Sequence, residues 1–244
     1  MGDELEFLLM CGRFRLSRRK ELIEEYFNTD PNDVDWSPRY NIAPTQLVPA
    51  IRQNADNPKR SLSVMQWGLI PSWLNASAGV KLFNARSETV AAKPSFRSAL
   101  KDRRCLLPAD AFYEWRKTGK QRQPFCFEVN EGELFAFAGI WESSRGSNGD
   151  PIETCCILTT SPNAVTSAVH DRMPVILKRD EYDLWLDAGL KRSAILDLLN
   201  PLEASLMRAF AVSTRVNNVT NDDEECSRPW NENTRYEDTM NLFG

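Results

Sequence analysis

Apolar residues near the start of the chain recur at the spacing of an α-helix. Residues 22–27 place leucine, isoleucine, tyrosine and phenylalanine on one side, which predicts a helix with Ser17 as its N-cap. The segment 30–33 ends this helix, because proline lacks a backbone donor and Asp and Asn favour turns. We therefore expect a short amphipathic helix early in the folded region.

Short runs of β-branched and aromatic residues in the middle of the chain predict strands. Segments 125–129 and 134–141 flank Asn130-Glu-Gly-Glu133, whose turn-forming residues predict a hairpin. The other expected elements are strands at 154–160, 173–177 and 209–213 and helices at 181–188 and 192–199. Helices interspersed with hairpin-connected strands predict an α+β fold with a largely antiparallel sheet or partly closed barrel flanked by helices.

The composition is that of a single globular domain. The chain has 244 residues, of which 42% are hydrophobic and 26% are charged. Because no repeat or long linker divides the chain, we expect one domain over residues 11–220. An extension at 1–10 would precede it and an acidic tail at 221–244 would follow it. No apolar run reaches the roughly 18 residues of a membrane span.

The six cysteines follow neither a metal-binding nor a disulfide pattern. No two cysteines have the spacing of a zinc site, and the single histidine, His170, has no cysteine at ligand spacing. Cys155 and Cys156 are neighbours on a predicted strand and would point to opposite faces. We therefore expect free thiols, no zinc site and a reducing compartment.

The net charge of −4 does not by itself suggest a nucleic-acid-binding protein, since phosphate binding favours an excess of Lys and Arg. Basic residues nevertheless cluster locally. The clusters are Arg13, Arg15, Arg18, Arg19 and Lys20; Lys101, Arg103 and Arg104; and Arg116, Lys117, Lys120 and Arg122. A cluster of this size is most often a solvated surface patch.

Met10 followed by Cys11 has the form of a translation start after a short extension. If Met10 were the initiator and were removed, Cys11 would carry a free α-amine and a thiol on adjacent carbons. Such an amine condenses with an aldehyde to an imine, and the thiol then closes a five-membered thiazolidine. The alternative for Cys11 is a buried structural cysteine.

Two segments carry polar groups suited to phosphate or acid–base chemistry. In Asn84-Ala-Arg-Ser-Glu88 the polar residues alternate, so an extended segment would project all three onto one face, with Arg86 able to hold a phosphate. Glu114 stands among three aromatic residues, an environment that raises the pKa of a carboxyl group. The alternatives are a surface ion pair between Arg86 and Glu88, and a half-exposed glutamate on an edge strand.

A histidine and a pair of tryptophans complete the candidates. His170 is the only side chain of this sequence with an ordinary pKa of about 6.5, and the adjacent Asp171 and Arg172 could orient it. Trp67 and Trp73, with Gly and Pro between them, suit a loop that presents aromatic faces to bases. A structural or exposed histidine and core tryptophans are the alternatives.

Taken together and in order, these segments resemble the SOS response-associated peptidase (SRAP) family. The matching motifs are Cys11-Gly-Arg-Phe14, Arg39-Tyr-Asn-Ile-Ala-Pro44, Trp67-Gly-Leu-Ile-Pro71, Asn84-Ala-Arg-Ser-Glu88, Phe112-Tyr-Glu-Trp115, Thr159, His170-Asp-Arg-Met-Pro174 and Val212-Ser-Thr-Arg-Val-Asn217. No single motif is specific, but the ordered set spans the chain from residue 11 to residue 219. The resemblance implies an SRAP-like fold and a sensor of abasic sites in single-stranded DNA that acts in the SOS response.

The resemblance also implies a mechanism, in which a processed N-terminal cysteine attacks the ring-opened deoxyribose aldehyde and forms a thiazolidine DNA–protein crosslink. The implied catalytic residues are Cys11, Asn84, Glu114 and His170, and the implied DNA-binding residues are Arg13, Pro44, Trp67, Arg86 and Thr159. Asn84 would position the cysteine and sugar, Glu114 would assist ring opening, and His170 would transfer protons. The resemblance implies no metal or organic cofactor. We expect a monomer in the cytoplasm, associated with the nucleoid if the source is bacterial.

The sequence departs from the family pattern because ten residues precede Cys11. An acylated amine cannot form an imine, which leaves three explanations. Translation begins at Met10, the extension is removed by self-processing, or the extended protein does not crosslink. We favour initiation at Met10, since a methionine directly before the cysteine is what initiation requires.

Two other functions are compatible with the same residues. A thiol peptidase or amidase would use Cys11 as nucleophile and His170 as base, with Asn84 or Glu114 orienting the base. A non-covalent single-strand binder would use the basic clusters and Trp67. A peptidase needs no free amine on Cys11, whereas a passive binder would tolerate Cys11→Ala.

Overall fold

The computed structural model describes residues 11–54, 57–74, 79–146 and 149–230. The strands in this part of the chain are β1 (Arg13–Leu16), β2 (Thr29–Asp30), β3 (Arg39–Ile42), β4 (Leu47–Asn54), β5 (Asn57–Trp67), β6 (Asn84–Arg86), β7 (Arg104–Ala109), β8 (Ala111–Thr118), β9 (Gln121–Val129), β10 (Phe135–Arg145), β11 (Pro151–Thr160), β12 (Met173–Pro174), β13 (Ile176–Leu177) and β14 (Met207–Ala211). The α-helices are α1 (Lys20–Phe27), α2 (Ser87–Val90), α3 (Pro94–Asp102), α4 (Tyr182–Leu186) and α5 (Arg192–Asp197).

These strands form two sheets. One sheet has five strands in the order β14-β9-β8-β1-β3, and the other has nine strands along the path β12-β11-β10-β7-β4-β5-β2, with β6 and β13 at its side. Parallel pairing of β11 with β5, at Cys155 and Trp67, closes the path from β5 through β4, β7 and β10 into a ring. The expected α+β fold with a largely antiparallel, partly closed barrel is therefore confirmed.

The five-stranded sheet is apolar on both faces. Phe112 of β8 and Phe127 of β9 are cross-strand neighbours whose rings stack 4.8 Å apart and face the main core. Side chains alternate along a strand, so Tyr113 and Cys126 point the other way and belong to a second, smaller core. Residues 212–230 supply the cover for this second core, which also contains Val212, Val216 and Cys226.

This cover includes residues that we expected in the acidic tail. Cys226 is fully buried, and the Asp222 carboxylate accepts hydrogen bonds from the backbone N–H groups of Tyr40 at 2.5 Å and Asn41 at 2.8 Å. The expected tail is wrong for residues 221–230, because Asp222 binds β3 instead of facing solvent. The rest of the tail and the extension at 1–10 lie outside the described residues.

Helix α1 confirms the first periodicity, but its predicted cap is wrong. The helix ends at Asn28, whose φ of 52° is in the left-handed region that terminates helices. Ser17 does not cap it, because its N–H and its hydroxyl both donate to Asp110 Oδ2, at 2.8 and 2.7 Å. Asp110 is fully buried, so its carboxylate requires such donors.

The turn at 130–133 is present, but it does not connect a hairpin. Asn130 and Glu131 both have positive φ, at 43° and 62°, as a tight turn requires. However, β9 pairs with β8 and β14, whereas β10 pairs with β7, β11 and β13. The hairpin prediction is wrong, because turn residues determine the local backbone and not the partners of the strands on either side.

The remaining predicted elements are found with shifted ends. They correspond to β11, to β12 and β13 together, to β14, and to the helices α4 and α5. All six cysteines are buried free thiols. None of the helices in the described ranges is long and apolar enough to cross a membrane.

Candidate active site

A cavity of about 500 Å³ opens beside the first residues of β1 and the middle of β8. Its lining residues are Gly12, Arg13, Ala43, Pro44, Thr45, Gln46, Phe83, Glu114, Trp115, Arg122, His170, Asn217 and Val219. A second hollow, of about 800 Å³, lies beside α1 and contains none of the candidate residues. The chemistry predicted from the sequence is therefore concentrated at the smaller cavity.

Cys11 lies beside this cavity and is tied to its wall. Arg13 of β1 is the cross-strand partner of Tyr113 of β8, and this register brings Cys11 next to Glu114. The backbone N–H of Cys11 donates to Glu114 Oε1 at 2.6 Å, and each residue is only 3% exposed. Cys11 has a φ of 50°, in the left-handed region that residues with a side chain rarely occupy. The expected nucleophile and the expected acid–base group are thus in direct contact.

Burial sets the protonation of this pair. Removal from water raises the pKa of Glu114, and the charge of His170 and hydrogen bonds from Cys11 offset part of this effect. Removal from water and the neighbouring Glu114 carboxylate raise the pKa of the Cys11 thiol well above its ordinary value. The thiol is therefore protonated at neutral pH, whereas Glu114 titrates closer to neutrality than an exposed glutamate does. The raised pKa expected for Glu114 is confirmed.

His170 lines the cavity on a loop that Arg172 holds in place. The backbone N–H of Arg172 donates to His170 Nδ1 at 3.1 Å, and Asp171 Oδ1 lies 3.2 Å from the same nitrogen. The Arg172 guanidinium donates to both carboxylate oxygens of Glu88, at 2.5 and 2.9 Å, and to the carbonyl oxygen of Thr159 at 2.8 Å. Arg172 therefore orients the histidine through its backbone and anchors the loop through its side chain.

The segment 84–88 is only partly extended. Strand β6 contains Asn84 and Arg86, but α2 begins at Ser87, so Glu88 is helical and pairs with Arg172 instead of Arg86. The expectation of three polar side chains on one extended face is wrong for Glu88. Arg86 is exposed at the end of β6, while Asn84 is half-buried and follows the cavity-lining Phe83. The roles implied for Asn84 and Arg86 remain predictions.

Two implied DNA-binding residues are inside the protein. Trp67 is fully buried, packs edge-on against Phe14 at 5.3 Å, and donates its Nε1–H to the carbonyl oxygen of Phe83 at 2.9 Å. The fully buried Thr159 lies in β11. Both side chains are covered by protein in this structure, and the contacts with DNA implied for Trp67 and Thr159 remain predictions.

Gly68 explains why the tryptophan motif contains a glycine. Its φ of 136° is rarely adopted by other residues, and a Cβ atom here would lie 3.0 Å from the ring of Phe83. At this end the motif packs Trp67 into the core behind the cavity-lining Phe83, whereas Trp73 at its other end is 65% exposed.

Arg13 lines the cavity and is tied to its wall. It is 6% exposed, and its guanidinium donates to Asn41 Oδ1 at 3.0 Å and to the carbonyl oxygens of Val216 at 2.6 Å and Asn217 at 3.2 Å. These donors join the cavity wall to the second core, and the phosphate contact implied for Arg13 remains a prediction. Pro44 also lines the cavity, and the DNA contact implied for it remains a prediction.

Trp115 and Asn217 are residues of the site that the sequence alone did not single out. Trp115 lines the cavity, donates its Nε1–H to Asn217 Oδ1 at 2.7 Å, and lies 5.8 Å from the Arg13 guanidinium. Both residues end motifs that carry the resemblance, which was the available signal. In the described ranges no three His, Cys, Asp or Glu side chains are grouped closely enough to bind a metal ion.

Comparison with known proteins identifies the family. The family model described as SOS response associated peptidase (SRAP) matches residues 10–219. The chain belongs to the SRAP family. Similar SRAP proteins include Abasic site processing protein YoqW of Bacillus subtilis, 40% identical over 221 residues that cover 88% of this chain and 98% of YoqW.

More distant similarities extend to vertebrates and to a solved structure. Abasic site processing protein HMCES of Gallus gallus is 33% identical over 228 residues, which cover 80% of this chain and 67% of that protein. The crystal structure of a Bacteroides thetaiotaomicron protein superposes with a TM-score of 0.82 at 26% identity, over 90% of this chain and 100% of the other. The SRAP match includes every candidate site residue, and the cover of the second core continues past it to residue 230.

Proposed function

We propose that this protein processes abasic sites in single-stranded DNA by covalent capture of the lesion through Cys11. The contact between the Cys11 backbone nitrogen and Glu114 carries the proposal, because it puts a proton acceptor at the atom that must act as nucleophile. The names of YoqW and HMCES as abasic site processing proteins support the substrate class. The family's description refers to the SOS response, and we infer that this activity takes place in that response.

The reaction requires a free α-amine on Cys11. The amine adds to the C1′ aldehyde of the ring-opened deoxyribose, and loss of water leaves an imine. The Cys11 sulfur then adds to the imine carbon while its proton passes to the nitrogen, which closes a thiazolidine. One water is released, and nothing is oxidised or reduced. An intact nucleotide has no aldehyde, so the chemistry itself selects abasic sites.

Residues around the cavity suit the proton transfers of this sequence. Glu114, whose pKa burial raises, exchanges protons with the amine and the sugar. His170 lines the same cavity and, as the imidazolium, donates a proton as water leaves. Asn84 positions the sugar, Arg86 holds a flanking phosphate, and Pro44 contacts the strand. We assign the base contact expected of Trp67 to Trp115, which lines the cavity.

The thiol protonation state argues against a thiol peptidase. A cysteine that attacks a peptide carbonyl needs a lowered pKa, and burial raises the pKa of Cys11. The hydrogen-bond partner of the thiol is Glu114, not His170. An amine-first reaction needs no thiolate at the start, because the sulfur enters only after the imine has formed.

Intact mass spectrometry tests the proposal. The protein is expressed with translation starting at Met10, and its mass is measured before and after incubation with an abasic-site oligonucleotide. We expect a chain that begins at Cys11 and gains the mass of the oligonucleotide less one water. A Cys11-terminated chain that gains no mass would overturn the covalent mechanism.

Two variants and one further chain give matched controls. Cys11→Ser retains the amine but cannot form a thiazolidine, so its adduct should be lost on denaturation unless it is first reduced with borohydride. Cys226→Ala removes a buried thiol of the second core and should crosslink like the parent. The full chain from Met1, tested in parallel, shows whether the extension is removed or blocks the reaction.

A further inference from the structure

Positive charge continues from the cavity along the hairpin of β8 and β9. In the register of this hairpin, Lys117 lies directly opposite Arg122, and Lys120 is in the turn. Because side chains alternate along a strand, Trp115, Lys117 and Arg122 share one face. Trp115 and Arg122 also line the cavity. The cavity wall and the outer part of the hairpin therefore form one continuous surface.

The outer part of this hairpin carries exposed positive charge. Lys117 and Lys120 are exposed, and neither forms a salt bridge with a carboxylate in the described ranges. Like charges that lie directly opposite across an antiparallel pair repel each other, and Lys117 and Arg122 form such a pair. An anionic ligand on this face would offset the repulsion.

We call the surface formed by Trp115, Lys117, Lys120 and Arg122 the strip. Its length fits a chain of phosphates better than a single anion. Trp115 and Gly119 are separated by four residues, which is about 13 Å along an extended strand. A nucleic-acid backbone presents regularly spaced charges over such a distance, and lysines bind them without sequence preference. The strip also begins at the cavity, where the proposed function locates the abasic nucleotide.

We propose that the outer half of the β8–β9 hairpin binds the phosphates of the DNA strand as it leaves the cavity on one side of the lesion. Lys117 and Lys120 contact the backbone, and Arg122, directly opposite Lys117, lines the cavity. The inference rests on the proposed function, because it takes the cavity as the site of the abasic nucleotide. It adds that binding is asymmetric, with an extended contact on one flank only.

Salt-dependent binding tests the strip on the full chain. Fluorescence anisotropy measures the affinity for an undamaged single strand of about 20 nucleotides, longer than one such site. The double variant Lys117→Gln, Lys120→Gln is compared with Lys101→Gln, Lys191→Gln, which removes the same charge from the region of α3 and α5. For the hairpin variant we expect about tenfold weaker binding at 0.1 M salt and a log–log salt slope shallower by about 1.4. The control should bind like the parent, and a parental slope in the hairpin variant would overturn the proposal.

A lesion-flank experiment tests the asymmetry. Two abasic-site oligonucleotides are used, one extended only on the 5′ side of the lesion and the other only on the 3′ side. The hairpin variant should lose crosslinking rate on one of them and much less on the other. Equal losses on both would contradict a one-sided contact. Equally strong competition by polyglutamate in the anisotropy assay would overturn the choice of nucleic acid as partner.

Two further results distinguish a failure of the strip from a failure of the proposed function. Lys117→Arg, Lys120→Arg should restore binding, and the Tm of the glutamine variant should not fall, because neutral side chains relieve the repulsion. A chain that begins at Cys11 and binds DNA through the hairpin but never crosslinks would reject the proposed function and retain the strip. If the parent crosslinks and the hairpin variant binds like the control variant, the strip is rejected and the proposed function is retained.

Discussion

The backbone nitrogen of Cys11 and the Oε1 atom of Glu114 are 2.6 Å apart in a region from which water is largely excluded. A carboxylate that loses its water gains a higher pKa and becomes a better proton acceptor near neutral pH. The same nitrogen is an amide in the extended chain and would be an amine in a chain that begins at Cys11. One contact therefore serves as a structural hydrogen bond in the first form and as an acid–base pair in the second.

Glu114→Gln should slow crosslinking by a factor of about 10² to 10⁴, the usual contribution of a positioned acid or base. Glutamine keeps the size of the side chain and an acceptor oxygen for Cys11, so the variant loses mainly proton transfer. The check is the single-turnover crosslinking rate at saturating abasic-site oligonucleotide. Glu142→Gln, a buried glutamate paired with Arg103 outside the cavity, should react like the parent. A Glu114→Gln rate close to the parental one would remove Glu114 from the mechanism.

The pKa of Glu114 also predicts how stability depends on pH. A carboxyl whose pKa is higher in the folded than in the unfolded state holds more protons when folded. The free energy of unfolding therefore falls as pH rises from the ordinary pKa of 4.5 to the raised value. Glu114→Gln removes this titration. The Tm of the variant minus the parental Tm should therefore increase with pH across that window and stay constant above it. Thermal unfolding from about pH 4 to pH 8 measures the difference. A difference that does not change with pH would contradict the assignment.

The two tryptophans near the cavity should respond to substitution in opposite ways. Trp67→Phe removes the donor to Phe83 and leaves a void in the core, so the free energy of unfolding should drop by about 1–3 kcal/mol with DNA affinity unchanged. Trp115→Ala should weaken single-strand binding at least about fivefold through lost stacking. Urea unfolding and anisotropy on both variants check this. If a well-folded Trp67→Phe protein binds DNA weakly, the assignment of Trp67 to the core and of Trp115 to base stacking is wrong.

The two adjacent aspartates of the C-terminal cover should also differ. Asp222→Ala leaves the N–H groups of Tyr40 and Asn41 without their acceptor and should cost about 2 kcal/mol or more. Asp223→Ala breaks an ion pair with Arg215 that is 44% exposed on each side and should cost less than about 1 kcal/mol. Urea unfolding of both variants measures the difference. Equal costs would mean that Asp222 does not hold the cover.

The sequence predicted those site residues whose role depends on neighbours along the chain. Cys11, Glu114 and His170 carry chemistry that is visible in their own motifs, and Glu114 and His170 line the cavity. Trp67 and Trp115 are examples of residues whose position the sequence does not predict. Both stand in aromatic motifs, and only the three-dimensional packing reveals that Phe14 and Phe83 cover the first while the second faces the cavity.

The fold shows the same division between local and distant information. The runs of β-branched and aromatic residues at 125–129 and 134–141 correctly predict strands β9 and β10, and the positive φ angles at Asn130 and Glu131 agree with the turn chemistry. The sheet that each strand joins depends on partners far away in sequence, which no local pattern contains. Likewise, Ser17 binds Asp110 instead of capping α1, because a buried carboxylate competes for the same hydroxyl.

The left-handed backbone of Cys11 has a consequence for the stability of the peptide bond that precedes it. A φ of 50° costs a residue with a side chain roughly 1–2 kcal/mol, and this angle exists only while another residue is attached to the nitrogen. A chain that begins at Cys11 has no such angle and does not bear the cost. Hydrolysis of the bond between Met10 and Cys11 is therefore favoured in equilibrium, by roughly tenfold, over hydrolysis of an unstrained peptide bond.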